Sequence, residues 1–388
     1  MRRKEYIGGH SVKLLHGGDE YFDAVVLLIN SAKETLHLQF YIFDDDETGK
    51  LIVAALTKAV QRSVKVFLMV DGFGSYSLHR EFRQRMKLMG IRFRYFSPLP
   101  FPGITQAGRR LHHKVCVADG INAIVGGINI ADKYRGNQHD KPWLDYALSV
   151  QGEVCKEISE DCQQIWNRRF VRFRKNNFSN NTTENTGILV RVSQNDWFRR
   201  KNQISAAYKL MLRNAQEEVI IVASYFIPSP RLLKILTRSA IRKRDVKIVL
   251  SGNSDVLLMK GAMAYLYEKL LRSGVKIFEY KESVLHAKVC VIDRKWTSIG
   301  SHNLNHLSEF FSIEMNLDVL DKPFAKGVAE ELTVLMKLHC KEITLDDYQK
   351  STNVLKKVVN SISFHILSMM MRILYILNRK EAGSGSAK

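Results

Sequence analysis

Apolar residues fall along the chain in short runs of branched and aromatic side chains, separated by longer amphipathic segments with charged faces. The runs have the length and composition of strands, and the segments those of helices. The pattern predicts a helix ending at Ser31–Lys33 and a strand over Thr35–Phe43, stopped by Asp44, Asp45 and Asp46. A helix over Leu51–Gln61 and a strand over Val64–Val70, with Asp71 at its carboxyl end, come next. They are followed by a helix over Phe82–Met89 and a strand over Ile91–Tyr95. The second half repeats the order, with strand Glu218–Ser224, helix Pro230–Ile241, strand Val246–Leu250, helix Ala262–Leu271 and strand Val275–Glu279. Such alternation calls for a parallel or mixed sheet covered by helices. The fold class is therefore α/β, in two duplicated halves that are each an α/β sandwich.

Polar stretches divide the chain. The tract 176–187, Asn-rich with nothing to bury, reads as a surface linker. The domains expected are 1–175, the linker 176–187, 188–345, and a C-terminal segment 346–388 made of an amphipathic helix and a flexible tail. Within that segment Val354–Leu377 is apolar at helical spacing but interrupted by Lys356, Lys357, His365 and Arg372. Its uncharged stretch is too short to span a bilayer. It suits the membrane interface, with docking on the protein or on a second subunit as the alternative. The Pro- and Gly-rich loop Ser97–Arg110 has apolar tips and reads either as a lipid-facing element or as a long surface loop.

Composition adds two constraints. With 388 residues, 45% hydrophobic and 25% charged, the chain can fill two cores, which excludes general disorder. With 59 Lys and Arg against 39 Asp and Glu, the net charge of +20 points to a polyanionic partner, nucleic acid or an anionic membrane surface. The five cysteines show no metal-ligand or disulfide spacing, so neither zinc nor a disulfide framework is expected. No apolar core follows the basic N-terminus, so no targeting segment is read and the reduced cytosol is the default compartment.

The chemistry lies in a repeat. His112-His113-Lys114-Val115-Cys116-Val117-Ala118-Asp119 returns as His286-Ala287-Lys288-Val289-Cys290-Val291-Ile292-Asp293. Gly126-Gly127-Ile128-Asn129 and Gly300-Ser301-His302-Asn303 follow at the same offset. In an extended segment alternate side chains share a face, so His112 with Lys114, and His286 with Lys288, can address one phosphate. The lysines supply charge for its oxygens, and the histidines can attack or move a proton. Asn129 and Asn303, with turns at Gly127 and Ser301, are candidate phosphate binders, and no metal or other cofactor is required. Asp145 and Glu314 each start a strand-like stretch and are candidates to orient a histidine. Asp119 and Asp293, at odd offset from the histidines, suit the turn after the strand. Cys116 and Cys290 read as small core fillers, and Trp143 as packing.

These residues resemble the phospholipase D superfamily, whose signature is H-x-K-x4-D followed by a glycine turn and Asn. From about Leu14 to Val319 the chain resembles bacterial cardiolipin synthases. Phe40-Tyr41-Ile42-Phe43, Trp143-Leu144-Asp145-Tyr146 and Tyr225-Phe226-Ile227-Pro228 also agree. The resemblance implies two halves sharing one central active-site cleft and a catalytic set of His112, Lys114, Asp119, His286, Lys288 and Asp293. It makes His112 the nucleophile, with Asp145 orienting its ring, and His286 the general acid and then base, with Glu314 in the matching role. Gln39, where the family often has Glu, and Leu304–Ser308 depart from the pattern, which puts acceptor binding or local bracing in question.

The implied reaction moves a phosphatidyl group from one phosphatidylglycerol to another through a phosphatidyl-histidine, releasing glycerol, at the cytoplasmic face of the bacterial membrane. The many family members that begin with two transmembrane helices differ from this chain, which resembles the shorter type. The rivals are a phospholipase releasing phosphatidic acid, a nucleic-acid phosphodiesterase, and an inactive lipid-binding scaffold. Against nucleic acid, the basic run Arg168–Lys175 is short and no nucleic-acid module accompanies it. One chain can build the whole cleft, so a monomer suffices and a dimer is compatible.

Overall fold

The computed structural model describes residues 5–98, 109–167, 187–196, 199, 201–253, 257–305 and 312–384. The apolar tips of the 97–110 loop, the basic run from 168 and the linker through 186 lie outside the described residues.

In the first half the order is β1 (Ile7–His16), α1 (Asp19–Ser31), β2 (Thr35–Phe40), α2 (Glu47–Gln61), β3 (Lys65–Asp71), α3 (Arg80–Leu88), β4 (Arg92–Phe96), β5 (Arg110–Leu111), β6 (Lys114–Ala118), β7 (Asn122–Gly126), α4 (Asp132–Arg135), β8 (Tyr146–Gln151) and α5 (Val154–Trp166). The second half runs β9 (Ile188–Asp196), β10 (Lys201–Asn202), α6 (Gln203–Asn214), β11 (Glu218–Ala223), α7 (Pro230–Ile241), β12 (Asp245–Ser251), α8 (Leu257–Arg272), β13 (Lys276–Tyr280), β14 (Lys288–Ile292), β15 (Trp296–Gly300), β16 (Ser312–Leu320), α9 (Lys322–His339) and β17 (Cys340–Ile343). Two C-terminal helices follow, α10 (Leu345–Ser351) and α11 (Val354–Ser384).

Both halves build the same mixed sheet. In the first, β4, β3 and β2 are parallel neighbours, β6 joins β2 antiparallel, and β7, β8 and β1 continue the order. In the second, β13, β12 and β11 are parallel, and β14, β15, β16 and β9 repeat the antiparallel side. β1 and β9 pair with each other, which ties the halves together.

The cassette strands show why the sequence reads as it does. β6 and β14 are buried at every position. Val115 and Val117 point into a central core with Val289 and Val291. On the opposite faces Cys116 and Ala118 meet the core of the first half, and Cys290 and Ile292 that of the second. A strand covered on both faces has no polar side, so after its leading lysine each appears as a continuous apolar run. The two sheets thus share a central core to which α5 and α9 also contribute, while the other main helices pack in the core of their own half. Elsewhere local signals set the boundaries. Ser229 caps α7 by accepting from the Leu232 N–H, with Pro230 in the first turn.

The predicted elements are present with small shifts at their ends; β2 ends at Phe40 and α8 begins at Leu257. The strand β1 and the helices α5 and α9 go beyond the predicted set. β1 carries Gly8, Gly9 and alternating exposure, so its composition alone is a weak strand signal. The terminal helix runs to Ser384, about two turns past Leu377, where the sequence suggests a flexible tail from Ala382.

Candidate active site

The backbones of the two halves cross at the catalytic segments. Arg110 and Leu111 pair in parallel with Ser312 and Ile313, and the His112 N–H donates to the Ile313 carbonyl at 3.0 Å. The mirror contact joins Leu144 to Leu285, and the His286 N–H donates to the Leu144 carbonyl at 2.8 Å. Each histidine therefore lies beside the strand start of the opposite half, whose next residue is the carboxylate.

The dyads are accordingly crossed. His112 Nδ1 lies 2.9 Å from Glu314 Oε2 and 3.1 Å from the Ser301 carbonyl. His286 Nδ1 lies 2.6 Å from Asp145 Oδ2. This corrects the expected pairing of Asp145 with His112 and Glu314 with His286; the carboxylates are in place but serve the other half's ring. Lys288 Nζ also lies 2.8 Å from His286 Nδ1. The shorter contact and the carboxylate charge point the Nδ1 proton at Asp145, which leaves Nε2 as the nitrogen without a proton.

Two other expectations change. Gly127 and Ser301 were candidate phosphate binders, but both support the carboxylates. A Cβ on Gly127 would lie 2.3 Å from Asp145 Oδ1, so glycine is what lets that carboxylate sit there. The Ser301 hydroxyl is buried and donates to Glu314 Oε2. Asn129 is held at both ends of its amide, accepting from the Ile42 N–H at 3.1 Å and donating to Tyr134 Oη at 2.7 Å. Asn303 accepts from the Ser224 hydroxyl at 2.8 Å. Both asparagines brace the loops after β2 and β11.

Asp119 and Asp293, read as part of the catalytic signature, lie away from it. Each follows its cassette strand in the left-handed region, at φ 55° and 52°. Asp119 accepts from the Lys33, Glu34 and Thr35 N–H groups at 2.8, 2.9 and 2.8 Å. Asp293 does the same for Gln216, Glu217 and Glu218 at 2.9, 2.8 and 3.0 Å. Each clamps the start of the antiparallel neighbour of its cassette strand, β2 or β11. Asp119→Ala is expected to cost about 1–3 kcal/mol of stability, while turnover per folded molecule stays close to wild type. Thermal melts with active-site titration check this; a large loss of turnover at unchanged Tm would return Asp119 to the chemistry.

Burial sets the charge states. The His112 and His286 side chains are only 13% and 9% exposed. Burial, reinforced by the charges of Lys114 and Lys288, holds both imidazoles well below the ordinary histidine range. The shift favours the uncharged form of both rings. Burial also lowers Lys114 to about 7, against the pull of Glu314, and raises Asp145 to about 6, against the pull of Lys288. Lys114 Nζ donates to the His112 carbonyl at 2.9 Å and lies 5.3 Å from the Tyr41 ring centre.

Aromatic walls complete the site, and the sequence reading assigned them no such place. Tyr41 meets His112 edge-on at 5.0 Å, and Tyr134 meets His286 at 5.3 Å. Trp143, read as packing, packs in the first core and lies 6.0 Å from His286. Asp71 anchors the approach to His112, accepting from the Leu111 N–H at 2.8 Å. Its place at the carboxyl end of a parallel strand was the available signal. Gln39 lies on the far side of the cassette strand, with Oε1 3.0 Å from His113 Nδ1 and its amide donating to the Cys162 carbonyl at 2.9 Å. A carboxylate could not make that second bond, so this departure concerns bracing. Of Leu304–Ser308, positions 306–308 lie outside the described residues.

Residues 25–166 and 208–336 match the family described as cardiolipin synthase, PLD-like domain. Cardiolipin synthase B of Shigella flexneri is 31% identical over 366 residues, spanning 92% of this chain and 88% of that protein. Cardiolipin synthase B of Salmonella typhi is 32% identical over 369 residues with the same shares. Among solved structures, phosphatidylserine synthase of Haemophilus influenzae Rd KW20 superposes with a TM-score of 0.69 at 14% identity, covering 95% of each chain, a likeness of fold.

Proposed function

Because the chain belongs to the cardiolipin synthase, PLD-like domain family of the phospholipase D superfamily, we propose that its two histidines carry out phosphatidyl transfer by two successive displacements. The chain is a phosphatidyltransferase of the cardiolipin synthase type. The observation that supports the residue roles is the pair of crossed dyads, each a buried carboxylate fixing one histidine's Nδ1.

In the first step His112 Nε2 attacks the phosphorus of phosphatidylglycerol. An N–P bond forms, the P–O bond to glycerol breaks, and the leaving oxygen takes the Nε2 proton that His286 has gained from solvent on substrate binding. In the second step His286 removes the proton from a headgroup hydroxyl of a second phosphatidylglycerol, whose oxygen attacks phosphorus and releases His112. One phosphatidylglycerol pair gives one cardiolipin and one glycerol. Lys114 and Lys288 offset the phosphate charge. Burial and then the lysine charges disfavour a proton on His286; the phosphate offsets the lysine charges, so substrate binding favours the acid form.

Purified protein given phosphatidylglycerol in mixed micelles with chelator is expected to form cardiolipin and glycerol in equal amounts. Phosphatidic acid as the sole product would make water the acceptor and the protein a hydrolase. The pH profile follows from the two shifted groups. Asp145, raised to about 6, is protonated below that and loses its hold on His286; Lys114, lowered to about 7, loses its charge above that. kcat/KM is expected to be bell-shaped with limbs near these values. A flat profile from about pH 5 to about pH 9 would contradict the assignment.

Among the described residues no helix is long and apolar enough to cross a membrane. We propose peripheral association with the cytoplasmic face of the bacterial membrane, supported by the net charge of +20 and an anionic lipid substrate. The domain division at 176–187 is likewise a proposal, supported by the matching sheets on either side.

A further inference from the structure

The C-terminal helix α11 is packed inside out. Leu355, Val359, Ile362, Ile366, Met369 and Ile373 are between 40% and 71% exposed. Their spacing puts them on one stripe about 27 Å long, and Val354, Val358 and Met370 widen the exposed apolar face to about 160° of the helix surface. The inward face is largely small and polar. Ser363 is 8% exposed and fits against Gly261 of α8, where a Cβ would lie 2.8 Å from its hydroxyl. Leu367 and the half-buried Phe364 supply the apolar contacts of that seam. A helix that only docked on its own protein would turn its apolar stripe inward.

The direction of α11 links this face to catalysis. Lys357 Nζ lies 3.0 Å from Glu268 near the end of α8, Phe364 stacks on Tyr265 at 4.7 Å, and Ser363 meets Gly261 near the beginning. The helices are antiparallel, so α11 runs back toward the start of α8. That start follows the carboxyl end of β12, where the Ser251 hydroxyl accepts from the Leu285 N–H at 3.3 Å, one residue before His286. The stripe thus leads toward the catalytic edge of the second sheet.

Beside the first turn of α11 is a cavity of about 500 Å³ between α8, α10, β13 and β17, whose charged lining is Lys281, Lys341 and Lys350 against Glu279 and Asp347, a basic excess. Lys356 and Lys357 are exposed next to it. Basic side chains at the border of an apolar face match the headgroup layer of an anionic bilayer. A face this broad is also wider than the seam of a two-helix coiled coil.

We propose that the outward face of α11 is the surface that docks the protein on anionic phospholipid bilayers, with Leu355 to Ile373 among the acyl chains and the lysines at the phosphates. This rests on the lipid-transfer reading above and adds where the bilayer lies. The test is flotation of the full chain with phosphatidylglycerol vesicles and with phosphatidylcholine vesicles, for wild type and for Ile362→Glu/Ile366→Glu/Met369→Glu. Wild type should float with the anionic vesicles, and the triple variant should float at least about tenfold less. Transfer on soluble short-chain phosphatidylglycerol should be unchanged. Undiminished flotation of a folded triple variant would overturn the proposal. So would a wild-type dimer that the substitutions split into monomers while vesicle binding persists, since the face would then belong to a second copy. Absence of short-chain transfer in wild type would count against the reaction alone, because flotation reads docking separately. A milder probe covers misfolding of the triple variant: Ile362→Cys in a Cys340→Ser background, carrying a polarity-sensitive dye. Its emission should shift to the blue on adding phosphatidylglycerol vesicles, and an unchanged spectrum would overturn the proposal.

Discussion

His112→Ala is expected to lower phosphatidyl transfer by about 10⁴-fold or more, with stability near wild type. In the proposed mechanism the ring contributes the atom that forms the N–P bond, and alanine offers none. Its buried surroundings survive the change, because Glu314 keeps the Ser301 hydroxyl and the backbone contact of residue 112 with Ile313 persists. His286→Ala should fail differently. The nucleophile remains, but glycerol must leave without a proton. A donor with an acidic leaving group, such as phosphatidyl-p-nitrophenol, should restore the first step in His286→Ala and leave His112→Ala inactive. Nitrophenol release in a rapid burst, with labelled phosphatidyl retained on the denatured chain, would identify the intermediate. Equal rescue of both variants would remove the assignment of His112 as nucleophile.

The crossed dyads carry the second large effect. Glu314→Gln and Asp145→Asn are each expected to lower kcat by about 10²–10⁴-fold, because an amide no longer stabilises the ring when it gains charge. The acidic leaving group separates them. Asp145 bonds His286 and Glu314 bonds His112, so formation of the intermediate should be rescued in Asp145→Asn and stay slow in Glu314→Gln. Pairing within each half demands the reverse result. Double variants give an independent reading. His112→Ala with Glu314→Gln should be scarcely worse than His112→Ala alone, since residues that act as one unit are non-additive.

The outcome for Asp119 and Asp293 shows how far a motif can be read. Odd offset from the histidine already turned them from the cleft, yet membership in the signature kept them in the catalytic set. Three backbone N–H bonds to each carboxylate place them in the scaffold. Gly127 and Ser301 show the complementary case. Their turns were visible, but that they make room for Asp145 and brace Glu314 depends on strands arriving from later in the chain.

Local order determined much of this protein directly. Fully buried cassette strands must be apolar on both faces, so β6 and β14 stand out in the sequence, and their duplication carries the histidines, lysines and asparagines with it. Caps such as Ser229 with Pro230 marked helix starts because their hydrogen bonds lie within one turn. Tertiary structure alone decided which carboxylate serves which histidine, since Glu314 and His112 are 202 positions apart and meet only because two halves cross in parallel. It also decided which face of α11 looks outward, for an amphipathic period reports that a helix has two faces but not which one its neighbour will cover. Periodicity is a property of neighbours in sequence, whereas charge pairing and burial depend on what the folded chain brings alongside.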